Sequence, residues 1–178
     1  MPKEELRQTP RTKLVRNHRR AEYDREVVND IIDATPMCYV SYIIDGRPYL
    51  TPTFQWRDGD TIYWHGSSAS RFLRQIVGKE VCMVVTLFDG LVLARSAFHH
   101  SANYRSVMLF GEATQISDED KDEHLKKFVD NLIPGRWETL RPMTDQEMKA
   151  TTVFSMPIDE SSAKIRTGPP VDDDEDYE

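Results

Sequence analysis

The chain has few cysteines, no long apolar run and no excess of basic residues, and each shortage excludes a class of protein. Its two cysteines, Cys38 and Cys82, lie in apolar runs of β type, which predicts buried thiols rather than a disulfide framework. No apolar run approaches the ~20 residues of a membrane span, and the N-terminus lacks the hydrophobic core of a signal peptide. The net charge of −7 argues against nucleic acid as the main partner. We therefore expect a cytoplasmic protein with no membrane or nucleic-acid partner.

Several motifs of catalysis and ligand binding are also missing. No Gly-x-Gly-x-x-Gly or Walker-type pattern indicates a dinucleotide or nucleoside triphosphate. A nucleophilic triad has no support, because neither Gly-x-Ser-x-Gly nor a cysteine in an electropositive setting occurs. The adjacent pair His99 and His100 suggests a metal, but neighbours on an extended chain point to opposite sides, and no Cys/His/Asp pattern completes a site. We therefore predict no metal site.

The length and the charge distribution predict one domain between two polar ends. A chain of 178 residues is enough for a single core. Residues 1–22 form a basic arm with seven Lys/Arg against three Glu, and residues 171–178 form an acidic tail. Both ends are predicted to be solvated. The folded domain is therefore expected to span residues 23–170.

Asp-Gly pairs separate short β-type runs along much of the chain. Three such pairs occur, at 45–46, 58–59 and 89–90, and Asp-Gly is a strong hairpin signal. The predicted strands cover residues 38–44, 49–56, 61–64, 81–88, 91–94, 104–116 and 152–157. Within 104–116, Gly111 indicates a bulge or bend. The pattern predicts a mainly β protein with flanking helices, whose antiparallel sheet closes most economically into a small barrel.

Helices are predicted before, within and after this sheet. Asp24 is placed to cap a helix whose apolar residues recur at helical spacing. A short helix follows Ser70 and ends at Gly78. Ser117 is predicted to cap a third helix, and residues 144–150 form a fourth. The order lacks the strand–helix alternation of a doubly wound fold.

The stretch from Thr51 to Arg71 carries the strongest functional signal. Its second β-type run ends in a serine-rich loop, where hydroxyls and the Arg71 guanidinium favour a phosphate group. Trp64 and His65 lie just upstream, where a flat ring could pack on the same sheet. These residues predict a phosphorylated aromatic ligand. The alternative is a helix cap beside a surface arginine.

A second polar segment, residues 95–106, lies between apolar strands. It contains two arginines and the histidine pair, a composition that suits a ligand site or a subunit contact. Haem is a further alternative suggested by the two histidines.

Together these segments resemble the pyridoxamine 5′-phosphate oxidase-related proteins of the FMN-binding split-barrel superfamily, and within it the branch of flavin-nucleotide-binding and nitroimidazole-resistance proteins. The resemblance covers residues 11–177. The matching segments are 46–53, 58–66, 67–71, 91–101, 103–111, 134–137 and 162–170. The resemblance implies an antiparallel split β-barrel and a homodimer with an FMN in each groove between the subunits.

The resemblance also implies roles for individual residues. Along the flavin ring it places Thr51, Pro52, Thr53, Trp64 and His65. The 5′-phosphate would contact Ser67, Ser70 and Arg71, in agreement with the reading of the loop from its chemistry. Near the ring edge or the phosphate it places Arg105, Ser106 and Val107, for which a dimer contact is the alternative.

Two departures from the family pattern bear on the reaction. The basic Arg-x-His segment that helps true pyridoxamine phosphate oxidases to hold their substrate has no match, which argues against vitamin B6 oxidation. Members of this branch usually continue past the acidic segment into a Trp-containing strand, so we expect either a longer natural chain or a differently built wall. The resemblance thus implies an FMN-dependent oxidoreductase that acts on a small molecule, with NAD(P)H as a possible donor. The alternative is a flavin-storing or haem-binding module without turnover.

Overall fold

A computed structural model of the chain describes residues 4–177. Its nine strands are β1 Ala21–Glu22, β2 Met37–Ile44, β3 Arg47–Asp58, β4 Thr61–Ser67, β5 Glu80–Val92, β6 Ser101–Glu112, β7 Thr114–Gln115, β8 Thr151–Pro157 and β9 Glu160–Arg166. Its four α-helices are α1 Arg25–Asp33, α2 Arg71–Ile76, α3 Lys121–Leu132 and α4 Asp145–Ala150. Within the described residues, no helix has the length and apolar composition needed to cross a lipid bilayer.

The strands form one sheet in the order β1-β9-β6-β5-β2-β3-β4-β8-β7, and every pair is antiparallel. The prediction of a mainly β, antiparallel fold with flanking helices is confirmed. The hairpin at Asp45-Gly46 has positive φ at both residues, as a tight two-residue turn between twisted strands requires. The long strand β3 pairs with β2 through its first part and with β4 through its last residues, so it belongs to both halves of the sheet.

Two apolar clusters lie on opposite faces of this sheet. The larger cluster is enclosed by β2, β5, β6, α1 and α2, and Asp24 caps α1 by accepting a hydrogen bond from the Glu26 backbone N–H. The smaller cluster, around Trp56 and Val153, is covered by α3. Within the described residues, no helix packs over the remainder of that second face, across β2, β3, β5 and β6, where large apolar side chains are exposed.

Gly111 marks a close contact between β6 and β8 rather than a bulge. Its pairing with Val81 is regular, but a Cβ atom at Gly111 would lie 2.7 Å from Cγ of the buried Met156 on β8. The absence of a side chain therefore lets the two strands approach at this point, although they are distant in the hydrogen-bonded order.

Several details of the predicted strands are wrong. Asp89-Gly90 is a β-bulge inside β5 and not a hairpin turn, because the ladder with β6 continues on both sides of it. The strand predicted over 104–116 starts earlier, at Ser101, and ends at Glu112. A ninth strand, Glu160–Arg166, was missed, because its serines and charged residues lack the β-branched composition that indicates a strand.

The N-terminal arm packs on the domain, contrary to the prediction that it is solvated. Leu6 and Thr12 are buried, and Arg11 forms ion pairs with Glu80 and Glu160. At the other end, Tyr177 lies under the Arg95 guanidinium at 4.6 Å from the ring centre. Residues 1–3 of the arm and 178 of the tail lie outside the described part of the chain.

Candidate functional site

Side chains of β3 connect the sheet to the loop before α2. Thr53 Oγ1 donates to the backbone carbonyl of His65 at 3.3 Å, beyond the point where the ladder between β3 and β4 ends. Two residues earlier, Thr51 Oγ1 lies 3.0 Å from the Tyr42 hydroxyl. Tyr42 also stacks on Phe72 of α2, with ring centres 4.5 Å apart. The two threonines thus lie on a wall that runs from β2 to α2.

Arg71 lies at the end of this wall with its charge largely free. Its guanidinium is 5.7 Å from the Tyr49 ring centre, and its nearest carboxylate oxygen, on Asp45, is 3.8 Å away. Among the predicted phosphate-binding serines, Ser67 accepts a hydrogen bond from the Ala69 backbone N–H, whereas the Ser70 hydroxyl makes no capping bond. The exposed guanidinium and the Ser70 hydroxyl are therefore both available to a ligand.

Trp64 and His65 point to opposite faces of β4. Trp64 is fully buried in the larger cluster and stacks on Phe154, so its ring presents no surface to a ligand in this chain. His65 instead belongs to the opposite face, where its ring centre lies 4.4 Å from that of Phe128 on α3. Of the two residues expected beside the flavin ring, only His65 is partly accessible.

The His65 imidazole is held in an apolar setting. Burial lowers its pKa from the usual value, so the ring is neutral at pH 7. Its Nδ1 atom is buried and has no hydrogen-bond partner among residues 4–177, an arrangement that costs free energy unless something compensates for it. The neighbouring rings are those of Trp56 and Phe128. A neutral imidazole with apolar neighbours has the protonation state that a metal ligand requires.

Arg105, Ser106 and Val107, the residues predicted near the ring edge or the phosphate, form a second wall on β6, which is separated from β3 by the two strands β5 and β2. Arg105 forms a two-pronged ion pair with Asp89, with N···O distances of 3.0 and 2.7 Å, and this pair lowers the pKa of Asp89. Ser106 Oγ donates to the Lys164 backbone carbonyl at 3.3 Å, and Val107 is fully buried in the core. Within one chain, these residues do not meet the Thr51–Arg71 wall.

The uncovered part of the second sheet face is rich in apolar side chains. Cross-strand pairing aligns Tyr39 with Pro52 and Met37 with Phe54, and brings residues of β5 and β6 into the same layer. We call this surface the outer face. Its exposed large apolar residues are Met37, Tyr39, Ile43, Leu50, Phe54, Phe88 and Met108. Pro52, a predicted flavin contact, lies on it, and His65 lies where it meets α3.

The polar segment 95–106 contacts the acidic tail. The Arg95 backbone N–H donates to Asp172 at 3.1 Å, and His99 Nε2 is 3.8 Å from Asp173. His100 Nδ1 instead lies 3.0 Å from the Ser96 backbone carbonyl. The histidine pair therefore has separate partners.

Sequence reasoning missed the aromatic residues that lie beside Thr51, Arg71 and His65. Tyr42 and Tyr49 stack on each other at 5.6 Å and bring Thr51 and Arg71 into one surface, while Phe128 comes from a helix some 60 residues further along the chain. The period-two spacing of Tyr42, relative to Val40, could have placed it on the inward side of β2. No local signal indicated that α3 contacts His65.

The protein is a split barrel. Three features define it: the sheet order, the divided ladder of β3 and the close approach of β6 to β8. The chain belongs to the family described as pyridoxamine 5′-phosphate oxidase, whose model matches residues 24–165. No curated protein sequence matches it.

Solved structures agree with this assignment. The flavocytochrome Anf3 from Azotobacter vinelandii is 51% identical, with a TM-score of 0.90 over 95% of this chain and 79% of that one. An FAD- and haem-binding protein from Mycobacterium smegmatis is 38% identical, with a TM-score of 0.86 over 89% of this chain and 78% of that one. A candidate 5-nitroimidazole antibiotic resistance protein from Bacteroides thetaiotaomicron shares the fold, at 21% identity and a TM-score of 0.66 over 82% of this chain and 86% of that one.

Proposed function

We propose that this chain is a flavin- and haem-binding redox protein that works as a homodimer. The flavin supplies hydride and single-electron chemistry and the haem supplies one-electron chemistry, so the reaction class is electron transfer from a small-molecule donor such as NAD(P)H. The observation that carries the proposal is His65, a neutral and accessible imidazole at the edge of an apolar face, in a chain about half identical to a flavocytochrome. Oxidation of a B6 vitamer is not proposed, because the basic Arg-x-His segment is missing.

The residues around His65 fit a haem. The porphyrin requires a flat apolar surface and a neutral imidazole directed at its iron. Phe128 contacts His65, and its ring centre lies 6.0 Å from that of Phe54, which is exposed on the outer face. Since Nδ1 is enclosed by protein atoms, the iron would have to bind at Nε2. His65 is therefore the residue proposed to hold the iron, in place of His99 or His100.

The Thr51–Arg71 wall fits a flavin phosphate. The Arg71 guanidinium is exposed and has only one distant carboxylate partner, so an incoming phosphate would not have to displace a strong ion pair. Thr51 and Thr53 would lie along the ring, as the resemblance implies. FMN was the predicted form of the flavin, and the related protein from Mycobacterium smegmatis binds FAD.

The outer face supports the homodimer. Its large apolar side chains form a continuous layer across several strands, which is unusual for a surface that faces water. Pairing of two such faces would bury them. We further propose that the partner subunit's copies of Arg105 and Ser106 complete the site, as the resemblance implies, since these residues do not reach the Thr51–Arg71 wall within one chain.

Absorbance of the purified protein, with matched histidine variants, tests the haem assignment. We expect a Soret band in the wild-type protein together with the two bands of a flavin. His65→Ala should lose the Soret band and keep the flavin bands, because the iron loses its ligand. The control variant, His99→Ala/His100→Ala, should keep both. A Soret band that survives in His65→Ala and disappears in the control would reassign the ligand, and a wild-type protein that takes up neither group after reconstitution would refute the proposed function.

A further inference from the structure

A basic pocket lies where β9 leaves the sheet, beside the predicted second wall. Its volume is about 450 Å³, and its charged lining residues are Arg19, Arg20, Arg166 and Glu22. Ile165, which also lines the pocket, is the cross-strand neighbour of Arg105 on β6. In a chain with a net charge of −7, a pocket with three guanidinium groups and one carboxylate is a local reversal of charge.

Arg166 is the residue that makes this a built site. It is 91% buried, yet it has no carboxylate within ion-pair distance among the described residues. Its hydrogen bonds go to neutral oxygens: Nη1 donates to Asn103 Oδ1 and to the Gly168 carbonyl at 3.2 Å, and Nη2 donates to the Pro169 carbonyl at 3.3 Å. A buried charge normally has a partner of opposite sign, because desolvation without one is costly.

The remaining donors of Arg166 are available to a ligand. A guanidinium has five N–H groups, and three of them are used in the hydrogen bonds above. Nε and one Nη2 hydrogen have no acceptor among residues 4–177. Arg19 and Arg20 likewise have no carboxylate partner in the described part of the chain, so their charges also add to the field of the pocket. An anion with several oxygens would satisfy these donors together.

We propose that this pocket binds the diphosphate of a nucleotide. The pocket has the volume of a small-molecule site, and apolar surface from Ile165, Pro169 and Val171 lies beside the arginines, which suits a nucleoside attached to the phosphates. Such a unit occurs in flavin dinucleotides and in nicotinamide dinucleotides. This inference rests in part on the proposed flavin site, because a flavin dinucleotide bound beside the second wall would place its adenosine diphosphate half in this pocket.

Calorimetric titration of the full chain with ADP tests the pocket separately from flavin binding. Arg19→Gln/Arg20→Gln should weaken ADP binding by roughly tenfold or more, since each guanidinium offers charge-assisted hydrogen bonds. This variant removes no hydrogen bond of either side chain, so the fold should persist. Arg166→Lys keeps the charge but loses the planar set of guanidinium N–H donors, so it should also weaken binding. Arg136→Gln, which removes an exposed guanidinium outside the pocket, should bind ADP as the wild type does.

Two further measurements distinguish the sources of the diphosphate. If it belongs to the flavin, the double variant should retain less FAD after purification than the wild type and bind FMN unchanged. If it belongs to the electron donor, FAD retention should be unchanged, and the KM for NADH or NADPH should rise roughly tenfold. Wild-type protein that binds ADP but no flavin would refute the proposed function and leave the pocket assignment standing. Equal ADP affinity in the wild type and the double variant would overturn the pocket assignment.

Discussion

His65 combines three features in one side chain. It is neutral because burial lowers its pKa, one ring nitrogen is enclosed without a partner, and its ring contacts Phe128. Trp64, one residue earlier, has the opposite role, because successive side chains of a strand point to opposite faces. Both residues were predicted from the sequence to lie beside a ligand. Strand alternation, applied to this pair as it was to His99 and His100, would have separated them.

Arg71 allows a prediction about the flavin phosphate. Arg71→Ala should weaken flavin binding by roughly 1.5–3 kcal/mol, the usual scale of a hydrogen bond to a charged group. Fluorescence titration with FMN and FAD measures the change. Arg74→Ala, in the last turn of the same short helix, is the matched control and should bind as the wild type does. Unchanged affinity in Arg71→Ala would mean that the phosphate lies elsewhere.

At the scale of elements, composition predicted the strands whose side chains are β-branched or aromatic and missed the strand without them. Strand β9 is held by its pairing with Tyr104–Phe110 of β6, a contact between distant parts of the chain that no local pattern encodes. The bulge in β5 also led to a wrong strand prediction. Inward residues are odd-numbered up to Val85, but Val92 is also buried, so the alternation changes at the bulge, whereas the Asp89-Gly90 pair had predicted a turn between two strands.

Gly111 gives a test of the contact between β6 and β8. Gly111→Ala should lower the free energy of unfolding by about 1–3 kcal/mol, the usual cost of overpacking, because its Cβ would lie 2.7 Å from Met156 in a space without room to move. Urea denaturation measures the loss. The double variant Gly111→Ala/Met156→Ala should lose less than the sum of the single variants, since the second change removes the clashing atoms. Additive losses would show that the two residues do not compete for space.

At the scale of the whole molecule, a single chain supplies only part of the proposed site. The Thr51–Arg71 wall is formed by β3, β4 and α2, whereas Arg105 and Ser106 lie on β6, beyond the intervening strands β2 and β5. Resemblance to the family predicted this division from sequence. The apolar outer face supplies a physical reason for it, although the face could be recognised only when the register of β2, β3, β5 and β6 was known.

The homodimer is tested at Leu50, an exposed residue of the outer face on β3. Leu50 is 61% exposed there, and Leu50→Glu would place a charge in the proposed interface. Light scattering after gel filtration should give about twice the chain mass of 20.7 kDa for the wild type and the mass of a single chain for the variant. Val15→Glu changes an equally apolar, exposed residue on the N-terminal arm and should leave the dimer intact. A monomeric wild type at micromolar concentration would contradict the prediction.

The bulge at Asp89 also divides the β5–β6 hairpin into two segments with independent registers. Nearer the barrel, the pairs from Glu80 to Phe88 keep the core residues inward, while the pairs from Gly90 to Val92 follow a register shifted by one residue. A change of length beyond Gly90 therefore leaves the alignment of the barrel strands untouched. The segment beyond Gly90, with its polar loop against the acidic tail, could therefore be exchanged between split barrels without changing the alignment of their core strands.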